Sequence, residues 1–232
     1  MRRLALLLMM AGFIFGQHYV EIKIPDGVDS NAVFIRYVLD RDFGGWVDPH
    51  SDISSYFVST TRNGRTAERL KALVYAPGCS IQTFDIAISK AWPQSISYDC
   101  RPVPSITISG SVTGLEDARI EAKYGARWVR EFFGLTDKIE TPVPVGHGMY
   151  FAGAEGFRVS IPDFSGDDRE GEIQFWAVDP GTGRILARLL PKQPVVAGAT
   201  ITFGLCGTPA ARVHDRFGFA IRGHEDDIAC KK

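Results

Sequence analysis

Punctuation constrains this chain most. Short apolar runs recur along it, each closed by glycine, proline or asparagine at intervals of about 10 to 20 residues. Tyr19-Val20-Glu21-Ile22-Lys23-Ile24 alternates Val20, Ile22 and Ile24 against Tyr19, Glu21 and Lys23, and Pro25-Asp26-Gly27 ends it. Val33 to Leu39 is closed by Asp40 and Gly44-Gly45, and Ser55 to Thr60 by Asn63-Gly64. Leu70 to Tyr75 and Ile81 to Ile88 flank the turn Pro77-Gly78, where proline pre-sets φ and glycine accepts positive φ. No sustained helical period interrupts this half, so it predicts a β domain.

The second half repeats the pattern with one exception. Ile106 to Val112, Ala118 to Tyr124, Phe157 to Ile161, Glu172 to Val178, Arg184 to Leu190 and Thr200 to Leu205 read as strands. Asp179-Pro180-Gly181-Thr182-Gly183 makes a hairpin-like connection. Ala126 to Phe133 carries apolar residues at helical spacing and stops at Gly134, which predicts one short helix. Between the halves, Cys100-Arg101-Pro102-Val103-Pro104 is stiff and lacks two backbone donors, so it reads as a linker. The expected organisation is a leader at 1–16, a first sandwich at 17–103, a second at 104–192, and a disulfide-closed extension at 193–232 packed on the second.

The leader sets the compartment. Arg2-Arg3 followed by LALLLMMAGFIF is the pattern of a secretory signal peptide, too short for a membrane span of about 20 residues. Cleavage after Gly16 leaves a mature chain with no other long apolar segment, exported to the periplasm or beyond the cell. The whole chain holds 26 basic and 27 acidic residues. Removing Arg2 and Arg3 leaves 24 against 27, a net of −3, without the basic stripe that a nucleic-acid binder needs. Apolar residues make up 45%, ample for packed cores.

Four cysteines, Cys79, Cys100, Cys206 and Cys230, agree with an oxidising compartment. The expected pairing is local, Cys79–Cys100 and Cys206–Cys230: the strand Ile81 to Ile88 and the return segment Ser95 to Asp99 are expected to run antiparallel, so that their outer ends meet at Cys79 and Cys100. Loops of roughly 20 to 25 residues would each contribute about 3 kcal/mol by restricting the unfolded chain. A zinc site is the alternative, but there is no CxxC, no HxxxH and no close Cys–His pair.

Glycine-start strands carry a family likeness: Ile108-Ser109-Gly110-Ser111-Val112, Gly156-Phe157-Arg158-Val159-Ser160-Ile161-Pro162 and Ile173-Gln174-Phe175-Trp176-Ala177. Together these resemble carboxypeptidase-regulatory-like, or transthyretin-like, β-sandwich modules. Leu70 to Gly78 is similar to the closing strand and Pro-Gly of the same modules, with Cys79 where an aromatic usually stands. The resemblance spans about 80 residues in each half. It implies a seven-strand Greek-key sandwich that accompanies other domains and carries no catalytic residues of its own. The expected fold class is therefore all-β: two immunoglobulin-like or transthyretin-like sandwiches in tandem with one short helix.

Candidate chemistry is sparse. Asp163, Asp167, Asp168, Glu170 and Glu172 crowd one loop, and calcium takes six to eight such oxygens, although the spacing is not that of an EF-hand and Arg169 offsets part of the charge. His214-Asp215 and His224-Glu225 are adjacent pairs, but no serine sits in a Gly-x-Ser-x-Gly elbow. Trp46 follows Gly44-Gly45 and Trp92 precedes Pro93, so both are expected in connections, where an exposed ring can stack on a sugar or anchor a partner. The simpler reading is that these rings close the ends of the cores. The leading reading is an exported accessory protein without catalysis of its own that binds a protein or carbohydrate. A secreted hydrolase using the acidic loop or the tail histidines is the rival, and a structural envelope component is the third.

Overall fold

The computed structural model describes residues 18–29, 32–40, 42–47, 55–62, 65–89, 94–134, 143–163 and 171–207. The leader-like stretch lies outside them. The described residues are mostly β, with one short helix, and the chain divides into two compact units. The first takes residues up to Ala76 and Ser80–Arg101; the second takes Pro77–Cys79 and everything from Pro102.

The first unit holds β1 (Tyr19–Lys23), β2 (Phe34–Leu39), β3 (Asp42–Val47), β4 (Ser55–Ser59), β7 (Arg69–Tyr75), β8 (Gln82–Ala87) and β9 (Gln94–Ser97). A two-stranded hairpin, β5 (Thr61–Arg62) with β6 (Arg65–Thr66), brackets Asn63-Gly64. One sheet runs β4-β1-β9 and the other β3-β2-β7-β8. Alternation in β1 buries Val20 and Ile22 completely, and β7 adds Leu70, Ala72, Leu73 and Val74. Between β2 and β3 the chain turns at Asp40, whose φ of 51° is left-handed, a conformation that aspartate tolerates better than most residues. The Asp40 carboxylate fixes the turn by accepting the N–H groups of Glu68 and Arg69, each at 2.9 Å.

The second unit holds β10 (Ser105–Ser111), β11 (Ala118–Gly125), α1 (Arg127–Phe133), β12 (Val143–Tyr150), β13 (Phe157–Pro162), β14 (Glu172–Val178), β15 (Ile185–Pro191) and β16 (Thr200–Gly207). Its strands run β12-β11-β14-β15-β16-β10-β13. Strand β16 belongs to two ladders: Thr200–Thr202 pair parallel with β10, while Phe203–Gly207 pair antiparallel with β15. A strand that changes partners along its length lets a sheet fold over on itself. Phe203 lies at that change, with its ring 5.4 Å from Phe157 and 5.1 Å from Phe175. Helix α1 ends as expected, at Gly134 with φ 68°, whose N–H caps the carbonyls of Arg130 and Glu131. The segment expected as the start of an extension thus supplies a strand inside the sheet.

Three details differ from the sequence expectations. Trp46 lies in strand β3, not in a connection. Gly44-Gly45 reads as a break, yet the ladder absorbs it with a register shift opposite Tyr37/Val38. The return segment after Ser89 pairs parallel with β1, Val20 opposite Gln94 and Lys23 opposite Ser97, and not antiparallel with β8. Strand β12 was hidden by Pro144, Gly146 and Gly148, which look like turn residues. Both glycines sit where a Cβ would strike the carbonyl oxygens of Ser160 and Arg158 on β13, so their lack of a side chain permits a close backbone approach.

Candidate functional site

The expected site residues are scattered or lie outside the described chain. Trp92, Asp167, Asp168 and Glu170 fall outside it, as do Cys230, His50, His214 and His224. The Asp163 N–H donates to the Pro104 carbonyl, and Glu172 is exposed and accepts a hydrogen bond from Gln174 Nε2 at 2.7 Å. Among the described residues no group of three or more His, Cys, Asp or Glu could hold a metal ion. Cys79, before β8, and Cys100, after β9, form a disulfide, and Cys206 is also disulfide-bonded. Next to the first bond, Ser80 N–H donates to the Arg101 carbonyl at 2.8 Å and Tyr98 Oη donates to the Ser80 carbonyl at 3.0 Å. Burial dominates at Tyr98 and leaves its phenol pushed up to about 12; Asp99 adds to the rise.

The second unit carries two surface features that the sequence did not signal. The first is a row across five strands on the face opposite the core. Antiparallel register places His147 opposite Glu121, Glu121 opposite Trp176, Trp176 opposite Arg188, and Arg188 opposite Cys206. Residues opposed in this way share a face. Glu121 accepts from Arg119 Nη2 at 2.6 Å and pairs with Lys123 Nζ at 3.1 Å. Burial alone would push the Glu121 carboxyl up, but Lys123 and Arg119 together outweigh it and hold the group below the usual range. Lys123 Nζ lies 5.9 Å and Arg188 Cζ 5.7 Å from the Trp176 ring centre, so the indole has a cation on either side.

The second feature is a corner at the end of β12. Met149 is 42% exposed and Phe151 is 60% exposed, with exposed His147 one strand period before Met149. The backbone that displays Phe151 is tied down. Ala152 N–H donates to Asp117 Oδ1 at 2.7 Å, Ala154 N–H returns to the Phe151 carbonyl at 2.9 Å, and Gly153 turns at φ 82°. Tyr150, just before it, is buried and its hydroxyl donates to the Val112 carbonyl. An exposed aromatic on a pinned turn presents apolar area with little further order to lose, as a binding anchor requires. Sequence reading missed it because Met149 and Phe151 sit between glycines in a stretch that reads as a turn.

No family model matches the chain, and no curated protein matches it either. Among solved structures, it is similar to a putative adhesin from Bacteroides ovatus at 8% identity and a TM-score of 0.23, covering 78% of this chain and 80% of that one. It is also similar to a leucine-rich repeat protein from Bacteroides thetaiotaomicron at 9% identity and a TM-score of 0.22; there the match covers 80% of this chain but spans a quarter (25%) of the other. Likenesses at these scores carry no argument about what the chain does.

Proposed function

We propose that this chain is an exported accessory protein of two transthyretin-like sandwiches that binds another macromolecule, a protein or a carbohydrate, and does no chemistry of its own. The observation that carries the reading is the corner at Phe151, a large apolar side chain left open on a hydrogen-bonded turn beside exposed Met149 and His147. Export is supported by the basic-then-apolar start and by disulfides, which persist in oxidising compartments. The sandwich reading is supported by strand order. Numbered within each unit with the β5–β6 hairpin left out, the two sheets of the first run fourth-first-seventh and third-second-fifth-sixth, and the second unit repeats that order with its seventh strand joining both.

The test is capture of ligands from the exported fraction, and from a panel of immobilised glycans, by the full chain and by Phe151→Ala. Truncating a central anchor costs about 2 kcal/mol or more, so the variant should retain its fold and lose on the order of thirtyfold in affinity for whatever the full chain captures. Unchanged capture by Phe151→Ala would remove the corner from the interface.

A further inference from the structure

We infer that the free edge of β4 is a self-association surface, on which the β4 of a second copy of the chain adds antiparallel about Phe57. Strand β4 ends the sheet β4-β1-β9, and among the described residues no strand runs along its other side. Its inner ladder fixes which main-chain groups face outward. Thr60 N–H donates to the His18 carbonyl at 2.8 Å, so Thr60, Val58 and Tyr56 turn their N–H and C=O groups toward β1. Ser55, Phe57 and Ser59 therefore turn theirs away from it. The β5–β6 hairpin leaves that side open, because Ala67 N–H reaches the Thr60 carbonyl from the β1 side, at 2.9 Å.

Nothing in the strand's own sequence opposes pairing. Ser55-Tyr56-Phe57-Val58-Ser59 carries no charge, no proline and no glycine. Glu21, opposite Phe57, is paired with Lys23 at 3.6 Å, so the neighbouring strand adds little net charge. Phe57 itself is 39% exposed. The second unit has no such opening at its fourth strand, β13, whose Ser160 and Arg158 carbonyls meet Gly146 and Gly148. The order of residues in β4 selects the partner. A two-fold axis at Phe57 sets Phe57 of one copy opposite Phe57 of the other, Ser55 opposite Ser59, and Tyr56 opposite Val58. Every residue with outward main-chain groups then meets another, so all three such pairs exchange hydrogen bonds. Paired residues of this kind stand about 5.5 Å apart at Cα, which brings the two Phe57 rings together on one face. The product is one continuous sheet, β9-β1-β4-β4-β1-β9. The inference rests on the first unit alone and not on the corner at Phe151.

Sedimentation over a concentration series tests it on the full chain, on Phe57→Lys, which sets two like charges opposite each other, and on Ser59→Pro, which removes an outward donor at each end. Both changes fall on groups that face away from the core, so circular dichroism should match the parent. The parent should dimerise, and each variant should weaken the dimer about tenfold or more, while Phe151→Ala leaves it unchanged. Hydrogen exchange at the Phe57 and Ser59 amides of the parent should slow several-fold as concentration rises. A parent that stays monomeric up to millimolar concentration overturns the inference. A dimer that both variants leave intact does so too, as does one that forms without slowing those two amides.

Discussion

The two units solve one topological problem by different means. Each must hold a sheet containing its first and seventh strands against a sheet containing its sixth. In the second unit, β16 pairs with β10 at one end and β15 at the other, so main-chain hydrogen bonds run continuously between the layers. In the first unit, β9 pairs with β1 only. Side-chain amides bridge to β8 instead. Gln94 accepts from Ser89 N–H and donates to the Ala87 carbonyl, both at 2.9 Å. Gln82 accepts from Asp99 N–H and donates to the Asp99 carbonyl. A shared topology thus leaves open how the layers are joined: one unit uses a strand that changes partners, the other uses glutamine clamps.

Phe203→Ala should separate the units most sharply. It removes a buried ring at the change of partners in β16, at a cost of about 4 kcal/mol. Hydrogen exchange should then accelerate in β10, β15 and β16 while β1, β2 and β7 keep their protection. Equal acceleration in both sets would mean that the units do not respond separately. Next in size, Cys79→Ala/Cys100→Ala should cost about 3 kcal/mol by freeing a loop of roughly 20 residues in the unfolded chain. Denaturant titration monitored at β8 and β9 reads this loss, and a change below about 0.5 kcal/mol would mean the amide clamps suffice.

Smaller effects sharpen the comparison within the first unit. Gln82→Ala removes both bonds to Asp99 and should cost about 1 kcal/mol, seen as faster exchange of the Asp99 amide. Tyr98 adds a pH dependence. Its folded value is raised, so its contribution to stability is complete below the ordinary phenol value near 10 and is lost as pH rises through 10 toward 12. Tyr98→Phe gives up the bond to Ser80, about 1 kcal/mol at neutral pH, but should flatten the alkaline limb of the stability curve. A variant whose alkaline limb matches the parent would assign that limb to Tyr75, whose phenol burial raises as well.

Strands with strict alternation were legible from sequence because their period is a direct consequence of one buried face. Val20 and Ile22 in β1 and Phe157, Val159 and Ile161 in β13 are examples. The helix was legible from its glycine stop. What stayed hidden had glycine inside a strand. Gly44-Gly45 lie in β3 beside a register shift, and Gly146 and Gly148 in β12 permit a close backbone approach, and nothing local distinguishes either use from a turn. The partner of β9 was hidden for a related reason: a parallel neighbour lies some 70 residues away in sequence and leaves no short-range mark. The corner at Phe151 and the row through Trp176 come from register, which a single chain's pattern does not reveal.

The glycines of β12 also bear on how the protein behaves at high concentration. An outermost strand with free N–H and C=O groups is a template on which another chain can add, and proteins ordinarily guard such margins with charge or proline. Here β12 and β13 terminate the seven-stranded sheet, and the Ser160 and Arg158 carbonyls of β13 press against Gly146 and Gly148. The two margins shelter each other, and Pro144 removes one donor from the first. Any side chain larger than hydrogen at those two positions would pry the margins apart and open two strand edges on which another chain could add.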